Sequence, residues 1–182
     1  MIPNLHITWH MVFIFIYVLL IVGVIFYHPS YLKLNISLTK KDFQYIGGLL
    51  LIALGLIALF FKLDLLTFTP RYNLFHSIVV ALTILIIIAP AEELIFRGII
   101  QTHLMTWIGT IGGLIVASMF FGAAHLPNDA LGFDMALWNW KMAAISGAGG
   151  ILFGIAFINC SSILGPVILH AILSILYSLF IR

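Results

Sequence analysis

Residues 9–27, and again residues 74–89, pass without one aspartate, glutamate, lysine or arginine. Stretches of that length and composition constrain the fold more than any motif does. A helix needs about 20 mostly apolar residues to cross roughly 30 Å of hydrocarbon, where only intrahelical bonds can satisfy the backbone. Further runs of this kind cover about residues 45–61, 142–158 and 163–181. Gly109 and the pair Gly112-Gly113 introduce another that ends near His125. Pro90 closes the run 74–89, and residues 91–107 are expected to form a further helix or a kinked continuation, since proline is tolerated in a first helical turn. The expected fold is an all-α polytopic transmembrane bundle of about six spans. It forms a single membrane domain over residues 1–182, with two N-terminal spans in about 1–70 and a core in about 71–182. The later spans are expected to enclose a cavity.

Composition supports lipid as the solvent. The chain is 63% hydrophobic and 8% charged, with a mean hydropathy of +1.22, where a soluble domain carries roughly 25% charged residues. A net charge of +2 without a basic run gives no electrostatic footprint for nucleic acid. No lysine or arginine precedes the first run and no small-residue cleavage site follows it, so a retained anchor is expected rather than a cleaved signal peptide. Polar loops are expected at 30–42, around Lys62, Asp64, Pro70 and Arg71, and at 126–141, where Trp138 and Trp140 suit the membrane interface. Cys160, beside Ser161 and Ser162 in an expected turn, is the single cysteine and so forms no intrachain disulfide.

The chain's two glutamates, Glu92 and Glu93, are adjacent and lie in an apolar segment with Arg97. An ionised side chain at membrane depth costs roughly 2.5–3.5 kcal/mol on insertion scales, so this grouping needs a reason. Glu93 and Arg97 stand four apart with the acid first, the favourable order for an ion pair on one helical face. Glu92 points about 100° away from Glu93, which leaves it free for chemistry as a general base. Two histidines sit in later spans. His125 follows Phe121 by four residues on one face, and His170 precedes Ser174 by four. Together with the glutamates they are expected to converge in the bundle core. His6, His10, His28, His76 and His103 are expected to be structural or interfacial. Small residues at Ala143 and Gly147, then Gly150 and Gly154, mark close helix packing.

Glu92, Glu93 and Arg97 as Glu-Glu-x-x-x-Arg, Phe121 and His125 as Phe-x-x-x-His, and His170 as the histidine of a His-x-x-x-Asn motif occur here in that order. In this the chain resembles the CAAX prenyl protease and bacteriocin-processing family of intramembrane proteases, over about residues 89–177. Ser174 stands where that family often has asparagine, and a hydroxyl offers one donor where the amide offers two.

The resemblance implies a protease-like core in which Glu92 is the general base on a water that His125 helps position. His170, assisted by Ser174, would donate to the oxyanion, with Glu93, Arg97 and Phe121 in support. It implies either a metal-free glutamic scheme, to which the reading leans, or zinc held by His125, His170 and Glu92. As a ligand, Glu92 could not also be the free base. The implied partner is a membrane-attached protein or peptide such as a prenylated tail, a bacteriocin leader or a sorting tag. The compact chain suits the inner or plasma membrane of a prokaryote. The alternative is a non-catalytic relative acting as a bacteriocin-immunity or membrane scaffold protein. A proton-coupled transporter is disfavoured because no inverted repeat is found.

Overall fold

The computed structural model describes residues 33–35, 37–64, 66–70, 72–126 and 139–181. The first expected span, His6, His10, His28, Arg71, Trp138 and most of the 126–141 loop lie outside them. The described part is all-helical, with one isolated bridge between Phe68 and Ile181 in place of any strand.

Helix α1, Lys40–Lys62, starts earlier than the apolar run alone suggested, because a capping box sets its first turn. Asp42 N–H donates to Thr39 Oγ1 (3.2 Å), while Thr39 N–H donates back to Asp42 Oδ2 (2.8 Å), so two amides without helical partners are satisfied reciprocally. Asp42, expected in a polar loop, is therefore buried. Its carboxylate also accepts from Ser161 N–H (2.9 Å) and Ser161 Oγ (2.6 Å). Nearby, Lys33 Nζ donates to Phe157 O (2.6 Å) and Cys160 O (2.9 Å), carbonyls at a helix end that has no further turn to satisfy them. Burial holds the Lys33 ammonium below its ordinary pKa. This polar clasp ties the entry to α1 onto the last interhelical turn, between Asn159 and Leu164.

Asn73 caps the next helical path by accepting from His76 N–H (3.0 Å). The path comprises α2 (Leu74–Thr83), a wide π-type turn (Ile84–Ile88), α3 (Ala89–Glu93), a second π-type stretch (Leu94–Gln101) and α4 (Thr102–Ala124). The first wide turn has a cause in the sequence. In an α-helix the Pro90 ring would strike the carbonyl four residues back and leave it without a donor, and widening the turn relieves this. Helix α4 bends at Gly109, whose φ of 79° and ψ of 167° are readily reached only by glycine. A Cβ on Gly113 would come within 2.5 Å of Met105 N, so the chain doubles back at Gly109. Its second limb therefore returns alongside Leu94–Gln101, placing Phe121 beside Phe96 (ring centroids 5.0 Å apart).

Helix α5, Trp140–Asn159, and α6, Leu164–Phe180, complete the described bundle. The small residues marked in the sequence carry the α4–α5 contact. A Cβ on Gly122 would reach 2.6 Å from Ala143 O and 3.1 Å from Gly147 Cα, the close backbone approach that small residues permit in lipid. Lys40–Lys62, Leu74–Ala124 and Trp140–Asn159 are each long and apolar enough to cross a bilayer, and Leu164–Phe180 is a shorter apolar helix. Their outer faces carry exposed Leu51, Ile86, Ile87, Ile111 and Phe75, the surface expected where lipid is the solvent.

Candidate active site

Helix α3 meets α6 through charged side chains, with Arg97 of the second π-type stretch in support. Arg97 Nε donates to Glu93 Oε2 at 3.0 Å, and both side chains are wholly buried. The other Glu93 oxygen, Oε1, lies 2.8 Å from His170 Nδ1. Since a carboxylate only accepts, His170 Nδ1 carries the proton of this bond. His170 Nε2 then faces Glu92 Oε2 at 3.6 Å, beyond hydrogen-bond reach, and that oxygen has no hydrogen-bond partner. The two adjacent glutamates thus face the two nitrogens of one imidazole, and only Glu93 is hydrogen-bonded to it. They differ in access: the Glu92 side chain is 18% exposed, that of Glu93 not at all.

Aromatic rings fix the imidazole further. Phe153 of α5 stacks on His170 with centroids 4.5 Å apart and planes 13° from parallel, and Phe121 meets it edge-on at 5.5 Å. The Arg97 guanidinium lies 4.9 Å over the Phe121 ring and 5.8 Å over that of Phe153, a favourable placement for a desolvated cation.

His125 ends α4. Its Nδ1 lies 2.8 Å from Phe121 O, so Nδ1–H donates there and Nε2 is left open. Its ring packs on Phe121 at 4.8 Å, as the four-residue spacing expected. The Phe121 ring touches both histidines, whereas no hydrogen bond or ion pair joins His125 to Glu92 or His170. His76 and His103 stay apart from this centre: His76 Nδ1 faces Asn73 Oδ1 (2.9 Å) and His103 Nδ1 faces Ile99 O (2.8 Å), both exposed.

A cavity of about 380 Å³ adjoins the centre. Ile57 and Phe60 of α1, Phe121 of α4, Leu152 of α5 and Leu173 of α6 give it apolar walls, and His125, His170 and Ser174 are among its polar lining residues. Ser174 lies one turn beyond His170 and faces the same space. Glu92 does not line this cavity. Among the described residues no three His, Cys, Asp or Glu side chains are gathered as a metal-binding group. His125, His170 and Glu92 do not form such a set.

Two contributors escaped sequence reasoning. Phe153 sits in an ordinary apolar span, and only the fold brings it to His170. Gln101 is wholly buried and donates from Nε2 to Gly154 O at 3.2 Å. Its position four residues after Arg97, in an apolar segment, was a legible signal.

Three helices long and apolar enough to cross a bilayer, packed with a shorter apolar helix around a buried, charge-paired Glu/Arg/His centre, define a polytopic integral membrane protein. The sequence model for the type II CAAX prenyl endopeptidase Rce1-like family matches residues 74–176, more than half of the chain. The chain belongs to this family of membrane proteases, whose substrates are membrane-associated proteins. No curated protein and no solved structure matches it.

Proposed function

We propose that the chain is an intramembrane endopeptidase in which Glu92 activates a water that attacks the scissile carbonyl. The observation that carries this reading is the division of labour around His170. Glu93 is saturated by Arg97 and His170 Nδ1, while Glu92, whose side chain is 18% exposed, keeps a buried oxygen, Oε2, without a hydrogen-bond partner. A general base needs that free lone pair within reach of water.

The remaining roles follow from donors and acceptors. His125, with Nε2 open, positions the water. His170 donates from Nε2 to the developing oxyanion, assisted by the Ser174 hydroxyl. One such preorganised donor in a water-excluded site is worth roughly 3 kcal/mol of transition-state stabilisation. Because Nδ1–H is committed to Glu93, donation from Nε2 requires the doubly protonated ring. In that form, Glu92 and Glu93 together balance the charges of Arg97 and His170. Glu93 and Arg97 act by holding His170, and Phe121 by seating both histidines. The scheme is metal-free.

The substrate is the membrane-proximal or C-terminal part of a membrane-attached protein or peptide, lying along the apolar cavity with its scissile bond at the His125/His170 end. The proposed location is a prokaryotic inner or plasma membrane, in which the chain is a multi-pass protein. The test is terminal-peptide mass spectrometry on membranes from cells carrying the native chain, Glu92→Gln at matched expression, or no copy. New termini that appear only with native Glu92 support the protease and name its substrates. Identical termini with native and Glu92→Gln protein, both differing from the deletion, would favour a non-catalytic immunity or scaffold role instead.

A further inference from the structure

Gln101 stands one turn beyond Arg97, which itself stands one turn beyond Glu93, so three buried polar side chains climb one face of the helix. Arg97 donates to Glu93 through Nε alone, and its Nη1 and Nη2 find no hydrogen-bond partner. Gln101 reaches outward, and its Nε2 bonds Gly154 O on α5 at 3.2 Å, a buried polar link across 53 residues of sequence. The absence of a side chain at Gly154 permits this, because a Cβ there would come within 2.6 Å of Gln101 Oε1. The neighbour of Gly154 is Phe153, the ring that stacks on His170 and lies under the Arg97 guanidinium. The amide therefore fixes the glutamate-bearing helix to α5 one residue away from the aromatic floor of the site.

We infer that Gln101 is a positioning residue: its amide bond to Gly154 sets the register of Glu93 and Arg97 against Phe153 and thereby orients His170. The hydrogen bond is directional, whereas the surrounding apolar contacts would tolerate sliding along the helix axis. In an apolar medium no water competes for Gly154 O, so the link is retained where a surface amide would exchange it. The catalytic consequence rests on the protease reading above, but the orientation of His170 does not.

The experiment compares native protein, Gln101→Met and the packing control Leu114→Val in lipid nanodiscs. Leu114 faces the same glycine, and trimming it leaves the amide bond in place. Methionine matches glutamine in length and removes the donor. If Gln101→Met yields no folded protein, Gln101→Glu replaces the same donor with an acceptor at unchanged shape. The first readout is the pair of imidazole ¹⁵N resonances of His170, assigned by difference with His170→Asn. The second is cleavage of a membrane peptide identified by the terminal-peptide experiment. Gln101→Met is expected to move the His170 resonances and to lower kcat about ten- to a hundredfold, the scale of a small misplacement of reacting groups, with KM within about twofold. Leu114→Val is expected to change neither. His170 resonances and kcat equal to native in folded Gln101→Met would overturn the inference. If native protein cleaves nothing, the protease reading fails, and the ¹⁵N shifts alone decide the role of Gln101.

Discussion

Glu93 Oε1 lies 2.8 Å from His170 Nδ1, joining residues 77 apart in sequence. The same carboxylate holds Arg97 at 3.0 Å through its other oxygen. One buried anion therefore serves a cation on its own helix and an imidazole on the last helix. Glu92, next in sequence and a third of a turn away, is left with an open oxygen. Adjacent identical residues are thus given different work by helical geometry alone.

Exchanging each glutamate for glutamine should separate those roles. Glu93→Gln leaves Arg97 buried without its counter-charge, and breaking a buried pair in this way costs about 3–5 kcal/mol. A marked loss of thermal stability in detergent is expected. Glu92→Gln, with no hydrogen bond to lose at Oε2 and a His170 ring that can shed its second proton, should lower the melting temperature far less. Comparable destabilisation by both would contradict the assignment.

Phe153→Leu keeps the core apolar but removes the ring stacked on His170. Aromatic pairs contribute about 0.5–1.5 kcal/mol beyond burial, so a modest loss of stability is expected. The larger effect should fall on cleavage rate, since the imidazole loses its floor. Thermal melts and steady-state kinetics of the purified variant check both.

The Glu93–Arg97 pair was legible because an acid and a base four apart in an apolar run have few other solutions. The four-residue spacings of Phe121 with His125 and of His170 with Ser174 likewise placed partners on shared faces. That Glu93 also reaches His170 was not legible, since nothing local specifies which histidine crosses the bundle to meet it. Pro90 alone suggests either a kink or a helix start. The structure keeps the helix going by widening the turn before it, a choice set by the carbonyl clash. The break the sequence placed around Gly109–Gly113 does occur, as a reversal that lays Phe121 against Phe96 and Arg97. Asp42 falls in a stretch whose polarity suggests a loop, although Thr39-x-x-Asp42 is a capping pattern, and its bond to Ser161 depends on how α1 packs.

The clasp at the start of α1 makes a separate prediction. Asp42→Ala removes the acceptor of two Ser161 donors and of the Thr39 amide. Hydrogen bonds to a charged group are worth roughly 1.5–3 kcal/mol each, though not additively. A loss of about 2–4 kcal/mol is expected, visible as early release of α1 in limited proteolysis. Ser161→Ala should show a smaller part of the same effect.

Cys160, on the same turn, reports on that clasp. Burial, and then the nearby Asp42 charge, push its thiol up to about 11 from 9.0. A raised acid favours its neutral form in the folded state. Its contribution to stability is therefore complete below pH 9 and lost as pH rises toward 11. Buried and neutral, the thiol should resist maleimide at pH 7.5 until the chain unfolds. Mass-detected labelling should therefore track the melting curve. Rapid labelling of folded protein would contradict a closed turn.

The central claim is that Glu92 drives hydrolysis. The direct measurement uses purified protein in nanodiscs, a membrane-anchored peptide bearing a cleavage site identified in cells, and H₂¹⁸O as solvent. The account predicts that native protein releases a new C-terminus carrying one ¹⁸O atom, and that folded Glu92→Gln releases none. Cleavage by Glu92→Gln at the native rate would contradict it.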